Sequence, residues 1–262
     1  MMLRLTGFLL LLVSLSSWGV ALTMAAEPAP GPLTPEGRAA LNAKFDKQIA
    51  ALTSRLEKAP ADTDLLSERG DARFFRGQFA EAVADFDAMV KQQPDLEASH
   101  WRRGIACFYA AKYKEAAKQF ELYHSFDDVD RENGIWRYLS QVKALGQKKA
   151  REGLLKYKKD DREPFPDVYK LFAGELTGEQ VLERIRKAEI TEREREMRLF
   201  YAELYVGLNE FVEEHPESAE KHLRAAVDNR WGAAAAGGPG WMWQVARVHC
   251  DVLAAKATKT PN

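Results

Sequence analysis

Apolar residues recur along this chain at helical spacing, and nowhere in a sustained alternation of period two. Leu41, Phe45, Ile49, Leu52 and Leu56 form an i+4/i+3 stripe, so residues 35–58 are predicted to be one amphipathic helix. Thr34-Pro35 opens it, with a capping hydroxyl followed by proline at the first helical position. Pro60 ends it. From Thr63 to Asp130 the pattern is written twice at an offset of 34 residues. Arg69 and Gly70 recur as Arg103 and Gly104, Phe75 as Tyr109, and Phe79 as Tyr113. Ala82, Phe86 and Met89 share one helical stripe, as do Ala116, Phe120 and Tyr123. Glycine or alanine at the contact lets helices approach closely, and the aromatic one turn later fills the space between them.

A period of 34 with helix, turn and helix resembles the tetratricopeptide repeat (TPR). The expected fold is therefore all-α, a TPR solenoid with N- and C-terminal capping helices. Clear repeats cover residues 63–96 and 97–130, and degenerate ones 131–160 and 197–229. Gly77 closes the first turn, and Ala111 stands in its place in the second copy. In the third pair, Ile135, Trp136, Leu139, Val142 and Leu145 supply one helix; Ala150, Leu154, Leu155 and Tyr157 supply the other. Asp160 to Pro166 reads as a loop. Residues 167–187 read as two short helices split by Gly174 to Gly178, with a capping box at Thr177 and Gln180. A second box, Thr191 and Glu194, opens a helix through about Tyr205, and the charges from Glu192 to Glu196 read as its solvated start. Gly207 to Pro216 reads as a long turn. Gly232 to Gly240 reads as a flexible connector before a final helix, 241–254, that covers the open end. Residues 257–262 are a polar tail.

Residues 1–26 carry Arg4, then an apolar run from Leu5 to Leu15, then small residues. This is the order of a secretory signal peptide, with cleavage after Ala21, Ala25 or Ala26. The absence of charge between Arg4 and Glu27 leaves an uncleaved membrane anchor open as the alternative. Residues 27–34 read as a disordered linker. No cysteine precedes Cys107, so an N-terminal lipid on cysteine is not expected; the body is expected outside the cytoplasm, periplasmic or extracellular.

Composition removes several function classes. Hydrophobic residues make up 46% and charged residues 29% of 262, and the net charge is −1, so no basic field invites nucleic acid. Cys107 and Cys250 suit buried free thiols better than a disulfide framework or metal spacing. Glu121 and His124 share a helix face without a second half-site. His215 and His222 flank Pro216, and His249-Cys250 point about 100° apart on a helix. Gly232 to Gly237 lacks the lysine and hydroxyl of a phosphate loop. No catalytic residue, cofactor or metal is therefore expected.

The binding candidates lie on the first helix of each clear pair. Trp101, Ile105 and Phe108 share a stripe; in the first copy that stripe reads Ser67, Asp71 and Phe74. An apolar, aromatic groove suits a partner's helix or extended segment, although Trp101 suits a core position equally well. The lysine and asparagine pattern that clamps a C-terminal carboxylate in TPR chaperone adaptors is missing.

Arg103-Gly104-Ile105-Ala106, Trp136-x-Tyr138-Leu139, Phe172 to Thr177, Leu182-x-Arg184-Ile185 and Phe200-Tyr201 through Val227 appear in an order that resembles the NlpI family of bacterial envelope TPR lipoproteins. The resemblance spans roughly residues 63–228. It implies an α-solenoid that dimerises and acts as a non-catalytic adaptor, holding cell-wall hydrolases and a protease together. The lipidation cysteine of that family has no counterpart here. The alternative from the residues alone is a structural homo-oligomer, joined through the helix of Trp241 and Trp243 or through the N-terminal helix.

Overall fold

A computed structural model describes residues 31–159 and 161–257. The signal segment, the first residues of the linker, Asp160 and residues 258–262 lie outside the described residues. No strand occurs among the described residues, and the fold is all-α with a repeat-like arrangement of helices. No described helix is long and apolar enough to cross a membrane.

Helix α1 spans Pro35–Lys58, with the Thr34 hydroxyl accepting from the Gly37 N–H as anticipated. Phe45, Leu52 and Leu56 of its stripe are buried against the first repeat. Part of the expected linker is ordered: Thr34 donates N–H and hydroxyl to the Gly31 carbonyl at 3.0 and 2.9 Å, and Leu33 packs on the core.

Three helical hairpins follow one rule. They are α2 (Thr63–Arg76) with α3 (Phe79–Gln92), α4 (Trp101–Tyr109) with α5 (Tyr113–Phe126), and, further on, α10 (Glu192–Val212) with α11 (Pro216–Asp228). A turn of 3-10 helix at Pro94–Leu96 joins the first two. In each hairpin a glycine meets the side chain sixteen residues later. A Cβ on Gly70 would lie 2.5 Å from the Phe86 ring, one on Gly104 2.7 Å from Phe120, and one on Gly207 2.7 Å from Leu223. Seven residues after each glycine the backbone turns left-handed: Gly77 at φ 84°, Ala111 at 58° and Glu214 at 68°. There the N–H of the next residue reaches the carbonyl five back, Gln78 to Arg73, Lys112 to Cys107 and His215 to Glu210, which closes the helix end.

Gly207 was expected to begin a long turn. It lies inside α10 instead, and the helix runs on to Val212, because Gly207 is the contact glycine of the third hairpin rather than a breaker.

The segment between the second and third hairpins departs from the repeat. Helix α6 (Arg131–Leu145) is regular, but α7 (Gln147–Glu152) has only six residues. Leu154, Leu155 and Tyr157, expected in a helix, lie in irregular chain. The reason is local: sixteen residues after Gly134 stands Ala150, too small to fill the gap. Tyr157 and the later Tyr169 fill it, 2.6 and 3.0 Å from where a Cβ on Gly134 would be. Helices α8 (Phe165–Ala173) and α9 (Gly178–Lys187) match the expected pair, and the Thr177/Gln180 capping box is complete. Arg195 is not merely part of a solvated start. Its guanidinium donates to the carbonyls of Ile185, Arg186, Ala188 and Ile190 at 2.7–3.4 Å and so caps the end of α9.

The expected connector is largely helical. Asn229 caps a short α12 (Arg230–Ala234), whose Gly232 lies against the Phe200 ring. Helix α13 then begins at Gly237 and runs to Ala257. Pro239 sits in its first turn, where a missing N–H costs nothing.

Candidate functional site

Helix α13 does more than cover an end. It packs on α11 and α12 at one end of the chain and on α2 near the other, across the face that the first helices share. Its seating uses three of the six residues singled out from sequence directly and a fourth, Ser67, through Arg102. The Trp241 ring stacks on Phe74 (4.7 Å between centroids, 18° between planes) and meets Trp101 edge-on at 4.9 Å. Its indole N–H donates to Asp71 at 3.0 Å. Asp71 also accepts from Arg102 at 2.6 Å, and Arg102 donates to Ser67 at 2.9 Å. Burial pushes the Asp71 carboxyl up, against the pull of Arg102 and of the indole. Ser67, Asp71, Phe74 and Trp101 thus form a receptor for a helix, occupied by the chain's own Trp241.

Further along, Arg247, 1% exposed, is fully used. It donates to Gln244 and Asp251 at 2.7 and 2.8 Å and to the Phe75 carbonyl at 2.5 Å, and it lies over the Phe45 ring. Arg38 of α1 reaches Asp251 at 2.6 Å. His249 pairs through Nδ1 with the Tyr109 hydroxyl at 2.8 Å and touches the Phe211 ring edge-to-face. Burial lowers its pKa to about 3, so the imidazole is neutral. Cys250 and Cys107 are both buried free thiols, and burial pushes them up to about 12 and about 11. Neither supplies a thiolate at neutral pH. A helix anchored this way is part of the core through Trp241, Arg247 and His249, while Trp243 stays half-buried.

Ile105 and Phe108, the other two residues of the sequence stripe, are also buried. Phe108 packs edge-on against Tyr113 and Trp136. Trp101 and Ile105, however, open on a cavity of about 180 Å³ that α13 does not fill. Phe120, Tyr123, Trp136 and Met242 complete its apolar wall, and Gly238 and Pro239 of the first turn of α13 close one side. The polar side comes from Asp130, Glu132, Asn133, Arg162 and Tyr201.

Each polar group has a local reason to be there. Asp130 caps α6, accepting from the Glu132 N–H at 2.9 Å. Glu132, in the first turn of that helix, pairs with Arg162 and accepts from the Tyr205 hydroxyl of α10. Arg162 is shared with Asp161 at 3.3 Å and Asp130 at 3.7 Å and lies 4.4 Å over the Phe165 ring. Burial, aided by the Asp130 charge, raises the Glu132 pKa to about 7 despite Arg162 and Tyr205. Burial raises Asp130 as well. A recess with an apolar floor, convergent polar groups and displaced pKa values is the best candidate site in the molecule.

The sequence reading missed these acids. Asp130 and Glu132 stand thirty-two and thirty residues from Arg162, whose charged run read as a loop, and no motif links them. Of the other polar residues considered from sequence, His124 meets the Tyr157 ring edge-on with its Nδ1 unpartnered, and the rest pair locally. Glu121 faces Arg137 at 3.9 Å, His215 pairs with Glu210 and His222 with Glu203. Among the described residues no group of three or more His, Cys, Asp or Glu side chains is placed to hold a metal ion. No model of a known protein family matches the chain.

Proposed function

We propose that the protein is a non-catalytic, exported scaffold of the tetratricopeptide type that binds another protein of the bacterial envelope. The observation that carries this reading is the face of α2 and α4, which already holds a helix through ring stacking and an indole–carboxylate hydrogen bond. Such a surface receives helices and extended segments. The repeated glycine contact and left-handed turn support the TPR assignment. The resemblance to NlpI-type adaptors extends it to partners among cell-wall hydrolases or a protease. Because α13 occupies most of the face, the partner's segment enters at its open end, where Trp101, Tyr123 and Trp136 line the recess.

Capture from envelope extract on the immobilised mature protein tests this, with bound proteins identified by mass spectrometry. One partner should be retained by the wild type and lost from Tyr123→Ala, whose half-buried ring is no part of the helix anchor. Retention by both, or by neither, counts against the reading. Export is checked by the N-terminus of the protein isolated from cells, which should follow Ala21, Ala25 or Ala26; a terminus at Met1 in a cytoplasmic fraction would contradict it.

A further inference from the structure

We propose that the recess between α4, α5 and α6 binds a cationic nitrogen group on a short aliphatic stem, the side chain of a lysine or arginine in the partner's docking segment. The proposal rests on the adaptor reading above for the source of that group, and on the cavity itself for its chemistry.

Size comes first. The cavity holds about 180 Å³, and a dry apolar cavity of about 150 Å³ accommodates a benzene-sized molecule. A basic side chain fits; a folded element does not. The walls come next. The rings of Trp101, Phe120, Tyr123 and Trp136 surround Ile105 and Met242, which suits a methylene stem and presents π-faces to a cation.

Charge decides the sign of the ligand. Three carboxylates, Asp130, Glu132 and Asp161, face a single guanidinium, Arg162. That guanidinium pairs with all three and lies over the Phe165 ring. Two of them, Asp130 and Glu132, line the cavity with this one guanidinium between them and are partly buried; Glu132 keeps 16% and Asp130 22% of its side-chain surface. A second cation completes the set, and an incoming carboxylate would be repelled.

An independent observation concerns Trp136. It is 2% exposed, forms part of the cavity wall, and its indole N–H has no hydrogen-bond partner. Buried indole N–H groups normally find an acceptor. A peptide that inserts a basic side chain brings a carbonyl with it, whereas a free alkylamine brings none. A peptide source is therefore favoured over a small amine.

The test is titration of the mature protein with capped tripeptides whose central residue is lysine, arginine, norleucine or glutamate, followed by tryptophan fluorescence and by calorimetry. Butylamine and butylguanidine form the small-molecule arm. Lysine or arginine peptides should bind at least about tenfold tighter than the norleucine peptide, and the glutamate peptide should not titrate. Glu132→Gln and Asp130→Asn should each weaken binding of the basic peptides by about tenfold. Gln retains the hydrogen-bonding shape, and Asn remains a good helix cap, so circular dichroism should be unchanged. Free amines binding as tightly as the peptides would keep the cation site and assign it to small amines. Equal binding of norleucine, or no titration by any basic probe, overturns the proposal. Failure of the two readings is distinguishable. If Tyr123→Ala loses the captured envelope protein and Glu132→Gln does not, the adaptor stands and the cation site falls. If basic peptides titrate while no envelope protein is captured, the reverse holds.

Discussion

The hairpins α2/α3 and α4/α5 differ from the stretch α6–α9 in what meets the contact glycine. Gly70 and Gly104 each meet a phenylalanine sixteen residues later, and the hairpin closes on itself. Gly134 has the same small surface, but its counterpart is Ala150, and the gap is filled by Tyr157 and Tyr169 from outside the pair. The glycine alone does not make the repeat; the glycine with a large side chain sixteen residues on does, Phe86 and Phe120 here and Leu223 in the third hairpin. Where only Ala150 stands at that position, the second helix is just Gln147–Glu152, irregular chain follows, and polar side chains of Asp130, Glu132 and Arg162 gather beside a cavity. Regularity marks the scaffold, and its failure marks the candidate site.

That contrast breaks in a definite order. The largest effect belongs to Trp241, which ties α13 to the regular hairpins and is 6% exposed. Trp241→Ala should cost about 3–5 kcal/mol in chemical denaturation, with the Asp71 carboxylate left without its indole donor. A loss below about 1 kcal/mol would mean that α13 is only loosely seated.

Glycine substitutions compare the two regions directly. Gly104→Ala drives a Cβ into the Phe120 ring and should cost about 1–3 kcal/mol. Gly134→Ala meets first the Tyr157 hydroxyl, the far end of a side chain in irregular chain, and should cost clearly less. Equal losses in thermal melts would remove the distinction.

Protonation separates the regions by sign. His100, between the regular hairpins, is lowered from 6.5 to about 4, and His249 to about 3, both mainly by burial. The unfolded chain binds these protons first. Their neutral forms therefore contribute stability that is full above pH 6.5 and is lost as pH falls towards the folded values. Each contributes a slope approaching about 1.4 kcal/mol per pH unit. Glu132, raised from 4.5 to about 7, acts oppositely: the folded state holds its proton more tightly, so acidification from 7 to 4.5 relieves a burden. Net stability should fall between pH 6.5 and 4.5, and Glu132→Gln should steepen that fall. A variant with the wild-type slope would show that Glu132 does not titrate in this window.

The smallest effect lies at the turns. Ala111 and Glu214 hold left-handed backbone that Gly77 adopts freely. Ala111→Gly should stabilise by up to about 1 kcal/mol, the left-handed strain less the added freedom of the unfolded chain. Destabilisation would mean that the alanine methyl contributes more packing than the turn costs.

Most of the scaffold was legible because its signals are local. Thr34-Pro35, the doubled segment and the Thr177/Gln180 box act over a few residues, and α1 spans Pro35–Lys58 as the stripe indicated. Gly207 was misread because glycine breaks helices more often than it packs within them; its distance from Leu223, the same sixteen as in the clear repeats, was the available signal. Helix α13 was legible as an element but not in its place. Its Trp241 seats on Asp71, 170 residues away, and no local pattern encodes that choice. The acids of the cavity were hidden likewise, since only folding sets Arg162 beside Asp130 and Glu132. Ser67, Asp71, Phe74 and Trp101 did stand out from sequence, and the structure gathers them around the chain's own helix.

The central claim is that a partner protein docks at the open end of this face. The most direct measurement is site-specific photocrosslinking in the producing cells, with benzoylphenylalanine at Tyr123 in the recess and, as control, at Lys187 at the exposed end of α9. A discrete protein adduct from Tyr123 that is absent from Lys187 is the result expected. No adduct at Tyr123, or the same adduct from both positions, would contradict the account.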